Sequence, residues 1–188
     1  MAESGGPAAT RRLFFALWPP ARLAVELDHI ATAAARRFGG KASRRANLHL
    51  TLYFLGEVAD ARLPLLLEAA RRVRAAGFRL RIDRLGYWRH NRLLWAGCAP
   101  SAGLGALFAE LEAALALAGQ PPPKALRAFT PHLTLARKLP AATSPDEVRR
   151  IACAGLPDWP CEHFTLAEST LSPGGSIYRP LAEFALMV

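Results

Sequence analysis

The tetrapeptide His-Leu-Thr-Leu occurs twice, as His49-Leu50-Thr51-Leu52 and as His132-Leu133-Thr134-Leu135. Each copy lies in a short apolar run of the kind that forms a strand. Side chains alternate between the faces of a strand, so His49 shares a face with Thr51, and His132 with Thr134. The leucines point the other way and can anchor each copy in a core. An imidazole takes up or gives away a proton near neutral pH. Two imidazoles on opposite sides of a reacting group can do both at once: one deprotonates the attacking nucleophile, the other protonates the departing oxygen. In-line displacement at phosphorus calls for that arrangement, because the attacking and leaving oxygens lie on opposite sides. Each threonine hydroxyl can donate to a non-bridging phosphate oxygen, where charge sits in the transition state. Together the four side chains suit phosphoryl transfer without a metal.

Rival uses of these residues fit less well. Zinc normally takes three or four protein ligands. Neither copy has a Cys, Asp, Glu or second His two residues on, where a strand would present it. No nucleophile elbow occurs, and no cysteine sits in a recognisable catalytic context. His29, His90 and His163 read as ordinary solvent-facing or structural histidines. No metal and no cofactor is expected.

The motifs need elements to position them. Leu13 to Trp18 reads as a first strand, stopped by Pro19-Pro20. Ala21 to Phe38 carries an apolar stripe at helical spacing and ends at Gly39-Gly40. Lys41 to Asn47 is a basic connector, and Leu48 to Leu55 the first motif strand, closed by Gly56. A second helix is expected over Ala61 to Ala75. Phe78 to Leu85 alternates as a half-buried strand, Tyr87 to Arg92 forms a hairpin tip, and Leu93 to Cys98 returns. Leu104 to Leu117 is a third helix, followed by a loop over Gln120 to Lys124. Thr130 to Lys138 is the second motif strand. Ser144-Pro145-Asp146-Glu147 should open a short helix through a capping box. His163 to Leu171 and Tyr178 to Met187 are late strands, joined by a Pro-Gly-Gly turn. Helices alternate with strands, but two strand pairs are hairpins. That order predicts an α+β fold with mixed or antiparallel sheets, and the repeated helix–motif-strand unit predicts two related lobes.

Length suits one compact domain or two small lobes sharing a core. The net charge of +9, from 24 Lys and Arg against 15 Asp and Glu, favours a polyanionic partner such as nucleic acid. A genome rich in Arg and Ala codons would produce the same balance. The three cysteines, Cys98, Cys153 and Cys161, form no Cys-x-x-Cys pair. Reduced thiols and a cytoplasmic location follow as the expectation. The apolar run after Arg11-Arg12 is too short for a signal sequence, and no run approaches the roughly 20 residues of a membrane span. Residues 1–10 are expected to form a disordered tail, and 11–188 a single two-lobed domain.

The chain also resembles a known family. The paired His-x-Thr-x motifs are the signature of the 2H phosphoesterases. Their flanks, Arg12-Leu13-Phe14-Phe15-Ala16-Leu17, Asn47 to Glu57, Phe129 to Arg137 and the late Gly174-Gly175 with Tyr178, resemble the RNA 2′,3′-cyclic phosphodiesterase branch, historically named 2′-5′ RNA ligases. The resemblance implies a two-lobed, pseudo-symmetric bowl with one mainly antiparallel sheet per lobe, helices packed outside and a basic cleft between the lobes. It implies hydrolysis of an RNA 2′,3′-cyclic phosphate, or of a cyclic nucleotide, to a 2′-phosphomonoester. His49 is then the proton donor to the departing 3′-oxygen, His132 the proton acceptor that activates water, and Thr51 and Thr134 the phosphate holders. Arg137 occupies the place of a family arginine that binds substrate. Strict alternation turns Arg137 away from His132, so it reaches the phosphate only if the strand bulges or ends there. Tyr53 stands where the family often has a basic residue. It shares the parity of His49 and Thr51 and is expected to line the cleft and stack on a base, with a packing role as the alternative. Two other functions stay open: a non-catalytic RNA-end or nucleotide-binding module, and 2′-5′ ligation through the reverse reaction. A monomer with no membrane partner is expected.

Overall fold

The computed structural model describes residues 9–120, 129–153, 155–173 and 175–187. Among them, ten strands and four helices follow in chain order: β1 (Thr10–Leu17), α1 (Ala21–Phe38), β2 (Lys41–Ala42), β3 (Leu50–Ala59), α2 (Leu63–Arg71), β4 (Phe78–Leu80), β5 (Ile82–Trp88), β6 (Leu93–Cys98), α3 (Ala102–Leu117), β7 (His132–Arg137), α4 (Pro145–Arg149), β8 (Trp159–Cys161), β9 (His163–Ser172) and β10 (Gly175–Ala185). Eight strands form one antiparallel sheet in the order β10-β9-β1-β3-β7-β6-β5, with β2 also on β7, while β4 and β8 pair apart.

This is the α+β class that the alternation of elements implies. The sheet of each lobe is one half of a continuous surface. β10, β9, β1 and β3 make one half, and β2, β7, β6 and β5 the other. The halves meet where β3 and β7 pair through a single register position, Leu50 opposite Leu133. Both leucines are fully buried. The motif strands are thus central neighbours, and their leucines seal the seam from below.

The helices form because their apolar residues recur at helical spacing, and that spacing decides which face they bury. In α1 these are Leu23, Leu27, Ala31 and Ala34; in α3 they are Leu104, Leu107, Leu111 and Leu115. All join one core with Leu13, Phe15, Leu50, Leu52, Leu133 and Leu135 from the underside of the sheet. α1 follows β1 of the first half yet packs against β7 and β2 of the second. α2 and α3 pack on each other. The other face of the sheet carries a small separate cluster, Phe14, Ala16 and Ala167, with Trp18 and Tyr178 against it. His49 lies among these aromatic side chains.

Several boundaries differ from the sequence reading, each for a local reason. β1 begins at Thr10, paired with Ala59, so Thr10 of the expected tail is part of a strand; residues 1–8 lie outside the described residues, as do Pro121 to Lys124 of the expected loop. β3 continues past Gly56, because Gly56 adopts φ +74° at a register shift that leaves Leu55 without a partner on β1. The strand expected over Phe78 to Leu85 is two: Phe78–Leu80 pairs with β8, and Ile82 onward with β6. β8 and the two-residue β2 are too short to show a period of their own. Ser144 precedes α4, but its side chain makes no capping hydrogen bond, so the capping box is absent. Among the described residues no helix is long and apolar enough to cross a membrane.

Leu133→Ala should remove a fully buried anchor from the seam. The expected cost is about 2–5 kcal/mol, read from denaturant unfolding. Leu50→Ala should act non-additively with it, since the two residues are register partners.

Candidate active site

Both histidines are held in the same way. The Nδ1 of His49 lies 2.7 Å from the carbonyl oxygen of Asn47, and that of His132 lies 2.8 Å from the carbonyl of Thr130. A carbonyl only accepts, so Nδ1 carries the hydrogen in each ring. Nε2 is left as the position that gains or loses a proton. In both cases the partner is two residues upstream, so the two halves repeat one another down to the tautomer. Asn47 is itself tied down by its side-chain amide, which donates to the Ser176 carbonyl at 2.7 Å.

The two rings have different surroundings. His49 sits in a three-sided aromatic box: Trp18 stacks on it at 5.4 Å, Phe14 lies at 5.0 Å, and Tyr178 meets it edge-on at 4.9 Å. His132 has Trp88 edge-on at 4.6 Å. Trp88 leans on Trp95, which lies across Gly86, where a Cβ would come within 2.1 Å of the Trp95 ring. Burial removes water from a charged imidazole, so both rings hold a proton less readily than usual. Desolvation, opposed by the bond to Asn47 and reinforced by the charge of Arg137, lowers His49 to about 4. His132 is lowered for the same leading reason, again with Arg137 contributing.

A cleft of about 550 Å³ brings together His49, Thr51, His132, Thr134 and Arg137, five of the six residues that the sequence singles out. Arg137 joins them through a bulge. Thr134 and Ala136 are partnered by the successive β6 residues Trp95 and Leu94, which leaves Leu135 as an extra residue on β7. Leu135 and Ala136 are consecutively buried, the alternation slips by one, and Arg137 returns to the side of His132 and Thr134. The same slip happens on the other motif strand. Thr51 and Tyr53 are partnered by the successive β1 residues Ala16 and Phe15, with Leu52 extra. Tyr53 is thereby turned into the core, 3% exposed, and does not line the cleft. The expectation that Tyr53 faces the site is corrected: the packing alternative is the one observed. Phe54 lines the cleft instead, 43% exposed, with the Arg12 guanidinium 4.8 Å from its ring centre. Phe54 is therefore the counterpart of Arg137, each five residues after its histidine.

A family model described as the 2′-5′ RNA ligase superfamily matches residues 19–171. The chain belongs to that superfamily. Among superfamily relatives, the RNA 2′,3′-cyclic phosphodiesterase of Escherichia coli K12 is 34% identical over 94% of this chain and 97% of its own. The enzyme of that name from Thermus thermophilus is 34% identical over 93% of this chain and 90% of its own. A crystal structure of E. coli LigT complexed with 3′-AMP superimposes with a TM-score of 0.80 at 33% identity, covering 95% of this chain and 99% of that one.

Placing this chain in the 2′-5′ RNA ligase superfamily leaves its aromatic surroundings unexplained by the motif. Phe14, Trp18, Trp88 and Phe54 were not singled out by sequence reasoning. A usable signal existed for one of them: Trp18 closes the apolar run of the first expected strand, directly before Pro19-Pro20. Among the described residues no group of three or more His, Cys, Asp or Glu side chains could hold a metal ion.

Opening one wall of the aromatic box should return water to His49. In Tyr178→Ala the His49 pKa is expected to rise from about 4 toward 6.5, followed by the imidazole proton resonances against pH. A value that stays near 4 would mean the box is not the cause.

Proposed function

We propose that this protein hydrolyses 2′,3′-cyclic phosphate ends of RNA to 2′-phosphomonoesters, by acid–base catalysis between its two histidines. The supporting observation is the cleft in which two equivalently held imidazoles, two threonine hydroxyls and Arg137 come together from the paired motifs. Relatives named RNA 2′,3′-cyclic phosphodiesterase, similar over nearly the whole chain, supply the substrate class.

In this reading Thr51, Thr134 and Arg137 hold the non-bridging oxygens of the cyclic phosphate. His132 accepts a proton from water as the water oxygen bonds to phosphorus. The bond from phosphorus to the 3′-oxygen breaks, and His49 delivers its proton to that oxygen. The products are a 2′-phosphate and a free 3′-hydroxyl, and the two histidines end with their protons exchanged. The difference in burial favours these roles. His49, the more strongly lowered, is the stronger acid once charged, and His132 is the better base. Both rings are mostly neutral at pH 7 in the free protein, so His49 must gain its proton as the anionic phosphate docks. Chemistry of this kind is complete within one chain, which favours a monomer as the working unit. Three free cysteines fit a cytoplasmic setting.

His49→Ala or His132→Ala should each lower kcat by about 10²–10⁴ on a cyclic-phosphate oligonucleotide, while EDTA leaves turnover unchanged. Products resolved as 2′- or 3′-phosphates check which oxygen leaves, and a 3′-phosphate would reject the assignment. The pH profile of kcat/KM should be bell-shaped. Its acid limb lies near pH 4, below which both imidazoles are charged and no base remains. Its alkaline limb lies below the ordinary histidine value of 6.5, above which both are neutral and no acid remains.

A further inference from the structure

The reaction above uses one phosphate, yet the site has a second arm. A cavity of about 360 Å³ shares His49, Thr134, Arg137 and Tyr178 with the cleft, and its wall continues over Lys41, Arg44 and Lys138 instead of Phe54. No carboxylate is among the described residues that line it. Lys41 is the register partner of Arg137 across β2 and β7. Side chains directly opposite on antiparallel strands share a face, so Lys41 and Arg137 present their charges to the same side. Lys138 adopts φ +59°, a left-handed conformation that lysine rarely takes. It is held there by the hairpin tip, where Arg92 donates to the carbonyls of Lys138 at 3.3 Å and Leu139 at 2.5 Å. The connector between the lysines and the motif is pinned as well. Ser43 donates its backbone N–H to the Leu135 carbonyl and its hydroxyl to the Thr134 carbonyl, both at 2.7 Å.

A strained, left-handed lysine and a basic wall therefore meet at one cavity with a fixed frame. Strained backbone of this kind persists where the surrounding structure over-determines it, and it clusters at active sites and ligand clamps. Strand pairing, the hairpin tip and the pinned connector fix the backbone that carries Lys41 and Lys138 before an anion arrives, so little ordering is needed on binding.

We propose that this arm binds a second phosphate of the substrate: the phosphodiester that joins the terminal nucleotide to the RNA chain on its 5′ side. The assignment rests on the cyclic phosphodiesterase reading of the adjoining cleft. With the cyclic phosphate between the histidines, the next anion along the strand is that phosphodiester. A cyclic mononucleotide with a 5′-hydroxyl has nothing to place there. The arm thus makes the protein a reader of RNA ends in preference to free cyclic nucleotides.

The test compares three substrates: 2′,3′-cyclic AMP, the same nucleotide with a 5′-phosphate, and a dinucleotide ending in a 2′,3′-cyclic phosphate. The readout is the ratio of kcat/KM for the dinucleotide to that for cyclic AMP. Wild type is expected to favour the dinucleotide at least tenfold at low salt, with the advantage shrinking as salt rises. Lys41→Gln with Lys138→Gln should cut the ratio at least tenfold, and the corresponding double change to Arg should restore it. A ratio that the Gln variant leaves unchanged overturns the proposal. An advantage confined to the 5′-phosphorylated mononucleotide overturns the assignment to an internal phosphodiester. The same comparison made by binding, with a dinucleotide 2′-phosphate against 2′-AMP, separates the two readings. If wild type cleaves none of the three substrates, the phosphodiesterase reading fails, while a Kd ratio abolished by the Gln variant still upholds the arm.

Discussion

One backbone contact carries the geometry of this protein: the pairing of Leu50 with Leu133, where the two halves of the sheet become one. Above it lie the imidazoles and hydroxyls. Below it the leucines are fully buried against the helices. The strand period of two makes these a single requirement, because residues that alternate along a strand are fixed to opposite faces together. Any slip that moved His49 or His132 away from the cleft would push the leucines out of the core. The hydrophobic stabilisation of the fold, about 1.5–3 kcal/mol for each buried leucine, therefore also guards the register of the motif strands.

Leu52 and Leu135, the extra residues that follow the two threonines, are the second constraint. A regular strand offers one face to a site only at every other residue. By slipping the alternation after each threonine, the chain brings a third side chain to the cleft five residues beyond each histidine. On one side that side chain is a cation, Arg137, and on the other an aromatic ring, Phe54. The pseudo-symmetry supplies two equivalent places, and this sequence fills them with unlike chemistry. The result has a direction: a basic arm over Lys41 and Lys138, and an aromatic flank over Phe54 and Arg12. The unequal burial of the histidines extends that asymmetry to proton affinity.

How much of this was legible in the sequence follows from what repeats and what does not. The identical tetrapeptides exposed the histidines and threonines of the cleft, because one four-residue pattern recurs in two expected strands. Helix α1 was legible to the residue, since a long amphipathic stripe ends at a glycine pair. Bulges leave no such trace. Nothing local to Leu52 or Leu135 announces an extra residue; the unpaired position is defined by strands β1 and β6, distant in the chain. Parity therefore misplaces Tyr53, and it turns Arg137 the wrong way unless the slip in β7 is included. Short pairings such as β2 with β7 and β4 with β8 escape for a related reason, as two or three residues cannot display a period.

The crossing of helix α1 from one half to the other has a kinetic meaning. α1 follows β1 of the first half and rests beneath β2 and β7 of the second, so the second half is clamped through a segment that belongs to the first. A hinge between them would have to break that packing. The separation of the two imidazoles is therefore established when the chain folds and does not wait for substrate. Turnover in such an enzyme need not include a closing motion. Its speed would then be governed by how RNA ends enter and leave an already assembled groove.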